Sequence, residues 1–463
     1  MEKIQIEKET NQASHGCSSD TSAANFINLV MAATEKKERT QSQTPNRIHK
    51  LSQMPRDADQ DFKNYSEPCV VSIGPYHYKI NGNTKLQQVQ ELKPIIAKRF
   101  LQEFSGKSND PIQLFTDFRE QIKQMKVRSW YDAEATRNID EEAFTQMMFL
   151  DGCFIIYFIY CIATFQVENL GMKNYSIKVV QRDLFLLENQ LPFPVLKKLM
   201  TMEMDDGFWQ YAFYCFIRVN IDTWIDWNTP VWDENTLHLL DLLRTKLLGI
   251  CKRKTEKRID ILLPPLRGTT TESPMFRGVK ELTAAGIHFR PKTRGCVGDV
   301  KFSSHCIYGN LTLPRMIIDS STRQMFLNLI AYEACIDQPN EFGFTSYICF
   351  LDFLIDHADD VKELRNAGIL VNYLGSDEDV AKLFNEIAAD LVPDKDTFRD
   401  VRFEMQKYLS RTRKAKMALA EVYRDHFKSP WTASAVFAAI MILVATLLQT
   451  YFTIFPRADK CRN

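Results

Sequence analysis

The pattern of apolar and polar positions is most extreme near the end of the chain. Residues 431–455 (WTASAVFAAIMILVATLLQTYFTIF) contain no charged residue and no histidine. A helix of this length, at 1.5 Å rise per residue, is about 37 Å long and can cross a hydrocarbon core of about 30 Å. We therefore predict one transmembrane helix here, with a buried core helix as the alternative. The residues expected to form the membrane anchor are Trp431, Phe437, Ile440, Leu443, Leu447, Tyr451 and Phe455.

A second apolar run, MMFLDGCFIIYFIYCIATF, covers residues 147–165. Its uninterrupted part, residues 152–165, has fourteen residues, a length more typical of a core helix than of a membrane span. We predict a core helix, with a re-entrant or second membrane element as the alternative. Asp151 precedes the uninterrupted part, where a carboxylate suits a helix N-terminus.

Helical spacing of apolar residues recurs through the chain. Residues 86–104 predict a helix that Pro94 must start, kink or divide, and residues 112–131 continue in the same register. Between residues 286 and 318 the apolar positions alternate instead, which predicts a few short strands. Ser376 opens a capping box for a further helix.

These elements predict a mainly α fold: a large helical body, a minor short-stranded β element and one C-terminal transmembrane helix. The first segment is polar and rich in Ser, Thr and Gln, with no sustained period, which indicates disorder. The predicted organisation is a disordered lead at 1–46, a helix-rich domain at 47–428, the membrane helix at 431–455 and a short tail at 456–463.

Composition limits the function classes. Lys plus Arg and Asp plus Glu are balanced at 58 each, so no global electric field directs the protein to nucleic acid. The eleven cysteines are scattered and odd in number, and several lie inside apolar runs. This pattern is typical of reduced, buried thiols and argues against an oxidising compartment.

The flanks of the predicted span indicate its orientation. The start of the chain has no apolar core of the kind a secretory signal needs, so we expect post-translational, tail-anchored insertion. Six basic residues precede the span closely and three follow it, so the positive-inside rule favours a cytosolic body, at the plasma membrane or an endomembrane. The six are Arg411, Arg413, Lys414, Lys416, Arg424 and Lys428, and the three are Arg457, Lys460 and Arg462.

Several short motifs occur along the chain in one order: SIGPYH at 72–77, DGCF at 151–154, DLFLLENQLPF at 183–193, LTAAGIHF at 282–289 and NLIAYE at 328–333. With LGSDE at 374–378 and the C-terminal span, the chain resembles the plant-specific family called domain of unknown function 247. The resemblance covers about residues 48–455 and implies a membrane-attached plant protein.

The resemblance also bears on function. Some grass members, expressed in pollen, are implicated as male determinants of self-incompatibility, which implies a recognition role. The family supplies no catalytic residues to carry over. One departure is the sequence His77-Tyr78-Lys79, where many members have paired histidines and a glycine, so a role for a second histidine does not carry over.

Signatures of catalysis and cofactor binding are missing from the sequence. It contains no G-x-S-x-G elbow, no H-E-x-x-H and no C-x-x-C pair. The segment GKS at 106–108 ends like a P-loop, but Leu101 stands where the first glycine belongs. A loose group of possible metal ligands fits no zinc spacing, so we predict no metal and no cofactor. Its members are His288, Cys296, His305 and Cys306.

Three residues beside apolar runs are acid–base candidates: His77, Asp183 and Glu188. Burial can raise the pKa of a carboxylate into the range used for proton transfer. The alternative is that the two carboxylates cap helices or pair with Arg182 and Lys197, and that His77 is a hydrogen-bonded structural histidine.

Two surfaces are candidates for partner contacts. Trp224, Trp227 and Trp232 lie in an Asp/Asn/Pro-rich stretch, and exposed aromatic residues make strong interface anchors. The alternative is that they pack onto the protein's own helices. The loop at 267–277 is a second candidate. The basic segment 399–416 either attracts anionic lipid or is a solvated helix face.

Three function classes follow from these observations. The first is a membrane-tethered recognition or signalling protein, favoured by the missing catalytic signatures and by the family resemblance. The second is an enzyme with a family-specific acid–base site, and the third is an endomembrane adaptor. The expected partners are the lipid bilayer and an unidentified protein, without nucleic acid.

Overall fold

The computed structural model describes residues 48–50, 65–78, 84–104, 110–201, 205–221, 230–249, 278–305, 307–335, 342–394, 396–426 and 430–454. Most of these residues are helical and the strands are few and short, which confirms the predicted fold class. Several sequence predictions fall outside the described residues. They are the N-terminal lead, the GKS segment, Trp224, Trp227, the loop at 267–277, Cys306, Phe455 and the tail.

The first half of the body is built from helices around one central element. Short 3₁₀ turns at Val127–Trp130 and Val167–Leu170 connect some of them. The helices are α1 (Thr84–Phe104), α2 (Pro111–Gln124), α3 (Ala133–Thr136), α4 (Glu141–Ala163), α5 (Asn174–Asp183), α6 (Phe193–Met200), α7 (Asp206–Ile221) and α8 (Leu239–Leu248).

Helix α4 is the central element, and it packs against α1, α2, α6 and α7. It begins after Asp140, whose side chain accepts a hydrogen bond from the Ala143 N–H. Nearly all of its residues from Phe144 onward are buried, so it is a core helix although its length and composition would also suit a membrane span. The expectation that Asp151 marks a helix N-terminus is wrong, because Asp140 caps the helix well before it.

Helix α1 is continuous through Pro94. Proline lacks the N–H that would bond to the carbonyl of Gln90, so one helical hydrogen bond is missing there. The helix survives because its apolar face is buried: Val89, Ile96 and Phe100 all lie in the core. The sequence allowed Pro94 to start, kink or divide the helix. In the structure the helix neither starts nor is divided at Pro94.

The second half of the body adds the strands. The prediction of short strands between 286 and 318 is confirmed, whereas the last strand was not predicted. The elements are α9 (Val279–Ala284), β1 (Ile287–Lys292), β2 (Lys301–Ser304), β3 (Gly309–Pro314), β4 (Met316–Ile318), α10 (Thr322–Glu333), α11 (Gly343–Leu354), α12 (Ala358–Asn366), β5 (Leu370–Asn372), α13 (Asp377–Ala388), α14 (Arg399–His426) and α15 (Pro430–Ile454).

The strands form two small sheets. In the first, the order is β1-β3-β2, with β1 and β3 parallel and β2 and β3 antiparallel. In the second, β4 pairs with β5 in parallel. Ser376 caps α13 as predicted, because its Oγ accepts a hydrogen bond from the Asp379 N–H at 3.0 Å.

Nearly all of the buried apolar side chains that the structure describes form one cluster that extends from Ile48 to Tyr408. Helix α14 leaves this cluster partway along its length. Met405 and Tyr408 are buried, and the Tyr408 hydroxyl donates toward the carbonyl oxygens of Gly286 and Ile307 at 3.2 and 3.3 Å. From residue 413 to residue 424, every side chain that the structure describes is exposed. The body therefore ends in a helix that projects from it.

Candidate functional site

Residues 69–77, here called the motif segment, run through the body without joining a helix or a strand. Residues 70–75 of this segment are buried. Buried N–H and C=O groups need hydrogen-bond partners, and a segment outside regular structure must find them elsewhere. In this protein the partners are side chains from α1, from α4 and from residues 183–189, so three of the sequence motifs meet at one place.

Asp183 binds the start of the motif segment. Its Oδ2 accepts hydrogen bonds from the N–H groups of Cys69, Val70 and Val71 at 2.9, 2.7 and 3.1 Å. The side chain is fully buried, and burial raises its pKa while these bonds and Arg182 oppose the rise. The Arg182 guanidinium lies 3.7 Å from Oδ1, one of the pairings expected from the sequence. Asp183 therefore holds backbone in place.

Asn189 binds the middle of the motif segment. Its Oδ1 accepts from the Ile73 N–H at 2.6 Å, and its Nδ2 donates to the Val71 carbonyl at 3.0 Å. The same Nδ2 also donates to the carbonyl of Asp183 at 2.8 Å. The amide thus fixes the end of α5, where Asp183 lies, against the motif segment. Asn189 lies within the motif at 183–193, and the sequence pattern alone predicts no role for it.

Lys93 and Asp151 form a buried ion pair beside the motif segment. Lys93 Nζ lies 2.5 Å from Asp151 Oδ1 and donates to the Ser72 carbonyl, also at 2.5 Å. Asp151 Oδ2 accepts from the Gly74 N–H at 2.8 Å. Gly74 has φ +70°, and a Cβ there would lie 2.9 Å from the Gln190 carbonyl oxygen, so this turn requires glycine.

His77 and Glu188 meet at the end of the motif segment, whereas Asp183 binds its start. His77 Nε2 lies 3.7 Å from Glu188 Oε2, and both side chains are largely buried. Burial, with a smaller effect of Lys50, lowers the pKa of His77 to about 4. A general base works best with a pKa near the operating pH, so His77 is poorly tuned for that task at neutral pH.

A second buried polar network lies between α8, α10 and α11. Arg244 Nε lies 2.7 Å from Glu333 Oε1, and Glu333 also accepts from the N–H groups of Phe344 and Thr345 at 2.9 and 2.8 Å. Nearby, the Tyr332 hydroxyl donates to Asp241 Oδ1 at 2.9 Å. Glu333 thus serves as the N-terminal cap of α11 from a different helix.

Neither this network nor the Lys93–Asp151 ion pair was predicted from the sequence. The sequence did contain one feature that could have revealed the ion pair, a charged residue on an otherwise apolar helix face. Lys93 lies four residues after Val89 and three before Ile96, on the face of α1 that is otherwise apolar. A charge on a buried face needs an opposite charge, and Asp151 inside an apolar run was the matching observation.

Trp232 is not an exposed anchor. Its side chain is 6% exposed, and its ring centroid lies 5.6 Å from that of Phe193 and 5.1 Å from that of Phe213. The apolar ring fills the space between α6 and α7, which is the alternative that the sequence left open. Burial of its large apolar area favours this position.

The loose group of possible metal ligands does not converge within the described part of the chain. The His305 ring stacks on Tyr308 at 4.6 Å, and Cys296 Sγ lies 3.3 Å from Asp299 Oδ2. Among the residues that the structure describes, no group of three or more His, Cys, Asp or Glu side chains is arranged to hold a metal ion. The described cysteines, seven in number, are free thiols.

The C-terminal helix α15 begins one residue before the predicted span. Within it, Phe437–Ile454 is long and apolar enough to cross a membrane, and none of this stretch is buried in the body. Large apolar side chains such as Phe437, Leu443 and Leu447 are 63–68% exposed. Helix α4 has a similar composition but lies in the core, so only α15 among the described helices combines this length and apolarity with exposure.

Comparison with known proteins gives a consistent assignment. The model of DUF247, described as a plant protein of unknown function, matches residues 48–445. UPF0481 protein At3g47200 of Arabidopsis thaliana is 30% identical over 412 residues, which cover 83% of this chain and 82% of that protein. Putative UPF0481 protein At3g02645 of the same plant is 24% identical, covering 84% and 87%. No solved structure matches the chain.

Proposed function

The chain belongs to the plant family known as domain of unknown function 247, and we propose that it is a membrane-tethered recognition protein. In this proposal α15 crosses the bilayer once, and the helical body lies in the cytosol and binds another protein. The observation that carries the proposal is the exposure of α15 along its whole apolar length. Apolar surface of this extent is unfavourable in water and favourable in lipid.

The charge distribution supports a cytosolic body. The positive-inside rule counts Lys and Arg near the ends of a span, and the side that precedes α15 carries the larger number. Four of these residues lie close together on α14: Arg411, Arg413, Lys414 and Lys416. The body lies on the same side of the span, so the positive-inside rule favours a cytosolic body.

A role in recognition fits the use of the acid–base candidates. Asp183 uses one carboxylate oxygen for three backbone N–H groups, and Glu188 lies 3.7 Å from His77. His77 is held neutral at neutral pH by burial. Because these groups maintain the shape of the body, we assign function to its surface. Self-incompatibility, in which some grass members are implicated, is one such recognition role.

Membrane extraction tests the anchor. Leu443 and Leu447 should be replaced together by Arg in the full-length protein, because each arginine at the centre of a span opposes insertion by about 2.5–3.5 kcal/mol. The variant is expected to become extractable by alkaline carbonate, as is a chain lacking residues 430–463. The matched control replaces both leucines by isoleucine and should stay in the membrane. Carbonate-resistant binding of the arginine variant would contradict the proposal.

Protease protection tests the orientation. In intact microsomes, added protease should digest the body. The chain has three N-x-S/T glycosylation sequons, and their asparagines, Asn64, Asn174 and Asn310, should carry no glycan. A mass shift at Asn310 that an endoglycosidase removes would place the body on the other side.

Proximity labelling from the full-length protein, with the anchor-deleted chain as control, should then identify the proteins that the tethered body contacts. If the protein acts in recognition, substitutions on the surface of the body should change which neighbouring proteins are labelled.

A further inference from the structure

The part of α14 beyond the body, residues 411–426, is here called the stalk. At its base the Arg411 Nη2 donates to the His305 carbonyl at 2.9 Å, which ties the stalk to the loop between β2 and β3. Beyond this contact the described side chains from 413 to 424 are all exposed. Only residues 427–429 separate the stalk from α15. The stalk is therefore the part of the body's last helix that lies nearest to the proposed membrane.

The charge of the stalk is positive and is not balanced locally. Five basic residues and two acidic residues give a net charge of 5 − 2 = +3. Arg413, Lys414 and Lys416 have no acidic residue three or four positions away, where a helical ion pair would form. Arg411 is instead three residues from Lys414, and Arg413 is three from Lys416, spacings at which like charges repel. This arrangement is unfavourable for an isolated helix in water.

One side of the stalk is apolar. Ala415, Leu419 and Tyr423 follow one another at four-residue spacing, and Leu419 and Tyr423 are 69% and 68% exposed. Tyr408 lies on the same side of the helix, seven residues or about two turns before Ala415, and there the body covers it. The apolar side that packs on the body thus continues onto the stalk, where its large side chains are exposed to solvent.

We infer that the stalk lies flat on an anionic lipid surface, with Leu419 and Tyr423 in the headgroup region and its basic side chains against lipid phosphates and carboxylates. This inference rests on the proposed anchoring by α15. An upright stalk would hold Arg413 about 20 Å above residue 426, beyond the Debye length of about 8 Å. A flat stalk holds its charges closer to the anionic headgroups than an upright one does, with Arg411 and Lys416 flanking the apolar stripe, and basic amphipathic helices bind such surfaces.

A second copy of the chain is a less suitable occupant of the same stripe. Two chains anchored in one membrane would pair their stalks in parallel. With Thr412, Ala415 and Leu419 at the seam, Arg411 of one chain would face Lys416 of the other, the position at which coiled coils place opposite charges. The lipid surface supplies the negative charge that a second stalk does not.

Photo-crosslinking from the stalk tests the inference. Leu419 is replaced by benzoylphenylalanine in the full-length protein, which is reconstituted in vesicles of phosphatidylcholine alone or with 30% phosphatidylserine. Irradiation is expected to join the stalk to lipid in the anionic vesicles. In neutral vesicles, or in the triple variant Arg413→Gln, Lys414→Gln and Lys416→Gln, the lipid adduct should fall by at least about tenfold, since each nearby cation contributes to membrane attraction.

The matched control removes the same charge from the body through Lys173→Gln, Lys178→Gln and Lys197→Gln, all at exposed positions. This control should form as much lipid adduct as the parent. Equal adducts in neutral and anionic vesicles, or crosslinked dimers in place of lipid adducts, would overturn the inference. Failure of the chain to enter either kind of vesicle would instead refute the anchoring by α15, so the two proposals fail separately.

Discussion

Lys93 and Asp151 join α1 to α4 through a contact of 2.5 Å, with both side chains only 3% exposed. Burial opposes both charges, raising the pKa of Asp151 and lowering that of Lys93, while the pairing opposes both changes. Each partner also binds the backbone of the motif segment, at Ser72 and at Gly74. The ion pair is therefore part of the structure that keeps this segment inside the body.

Replacing Lys93 by Met should destabilise the protein by about 3–5 kcal/mol, because it leaves the carboxylate of Asp151 buried without a cation. Urea unfolding measures the change in the free energy of unfolding. The matched control is Lys98→Met, at an exposed position of the same helix, which should change stability by less than about 0.5 kcal/mol. Equal effects of the two substitutions would show that the pair is not required.

Asp183→Ala should be much more destabilising than Asp183→Asn. Alanine removes the acceptor of three backbone N–H groups, each costing about 1–3 kcal/mol when left buried and unsatisfied. Asparagine has the same shape and keeps one acceptor oxygen. Thermal unfolding compares the two variants. If both variants are as stable as the parent, Asp183 does not hold the motif segment.

Phe154→Ala and Leu186→Ala should each cost roughly 2–5 kcal/mol, because both side chains are fully buried and each deletion leaves a cavity. Urea unfolding of the single variants gives the values. The control is Phe165→Ala, since the Phe165 side chain is 83% exposed. Near-neutral effects of the two core substitutions would show that these residues do not pack in the core.

Phe165→Gly should stabilise the protein by about 1 kcal/mol. Phe165 follows α4 with φ +58°, a left-handed conformation that is unfavourable for a residue with a Cβ and is usually occupied by glycine at a helix end. Its side chain is exposed, so little packing is lost. The melting temperature should rise for glycine but not for alanine, which keeps the strain. A lower melting temperature for glycine would contradict this prediction.

The stability of the protein should fall as the pH drops below 6.5. Burial lowers the pKa of His238 to about 3, so the unfolded chain binds a proton between pH 6.5 and 3 that the folded chain does not. The contribution of this residue amounts to about 2 kcal/mol lost between pH 7 and pH 5. Protonation would also add a proton to Nδ1, which accepts the Asp241 N–H at 3.2 Å, and would therefore abolish this helix cap.

His238→Asn should flatten this pH dependence. The His238 side chain caps α8 by accepting from the Asp241 N–H, and asparagine can cap the helix without titrating. His357→Asn is the matched control, because His357 occupies the N-cap of α12 but is exposed. Unfolding free energies at pH 7 and pH 5 measure the difference. An unchanged slope in His238→Asn would assign the pH dependence to other groups, such as His77.

The parts of the fold that depend on local pattern were predictable from the sequence. Examples are the apolar helix α15, the strands β1 to β4 and the Ser376 cap. The side-chain partners of the motif segment were not, because each lies far along the chain and no local period reports it. Asp151 was misplaced for this reason: its partner Lys93 lies 58 positions away. Trp232 was ambiguous because an aromatic residue suits both a core and an interface.

The hydrogen bonds of the motif segment also impose an order on folding. Asp183 and Asn189 bind residues that precede them by 112–118 positions. During synthesis the segment is therefore made long before its partners emerge from the ribosome. Contacts between residues so far apart in sequence form slowly, since a long loop must close first. The amino-terminal part of the nascent chain would thus stay open to chaperones until the loop containing Asn189 has been made.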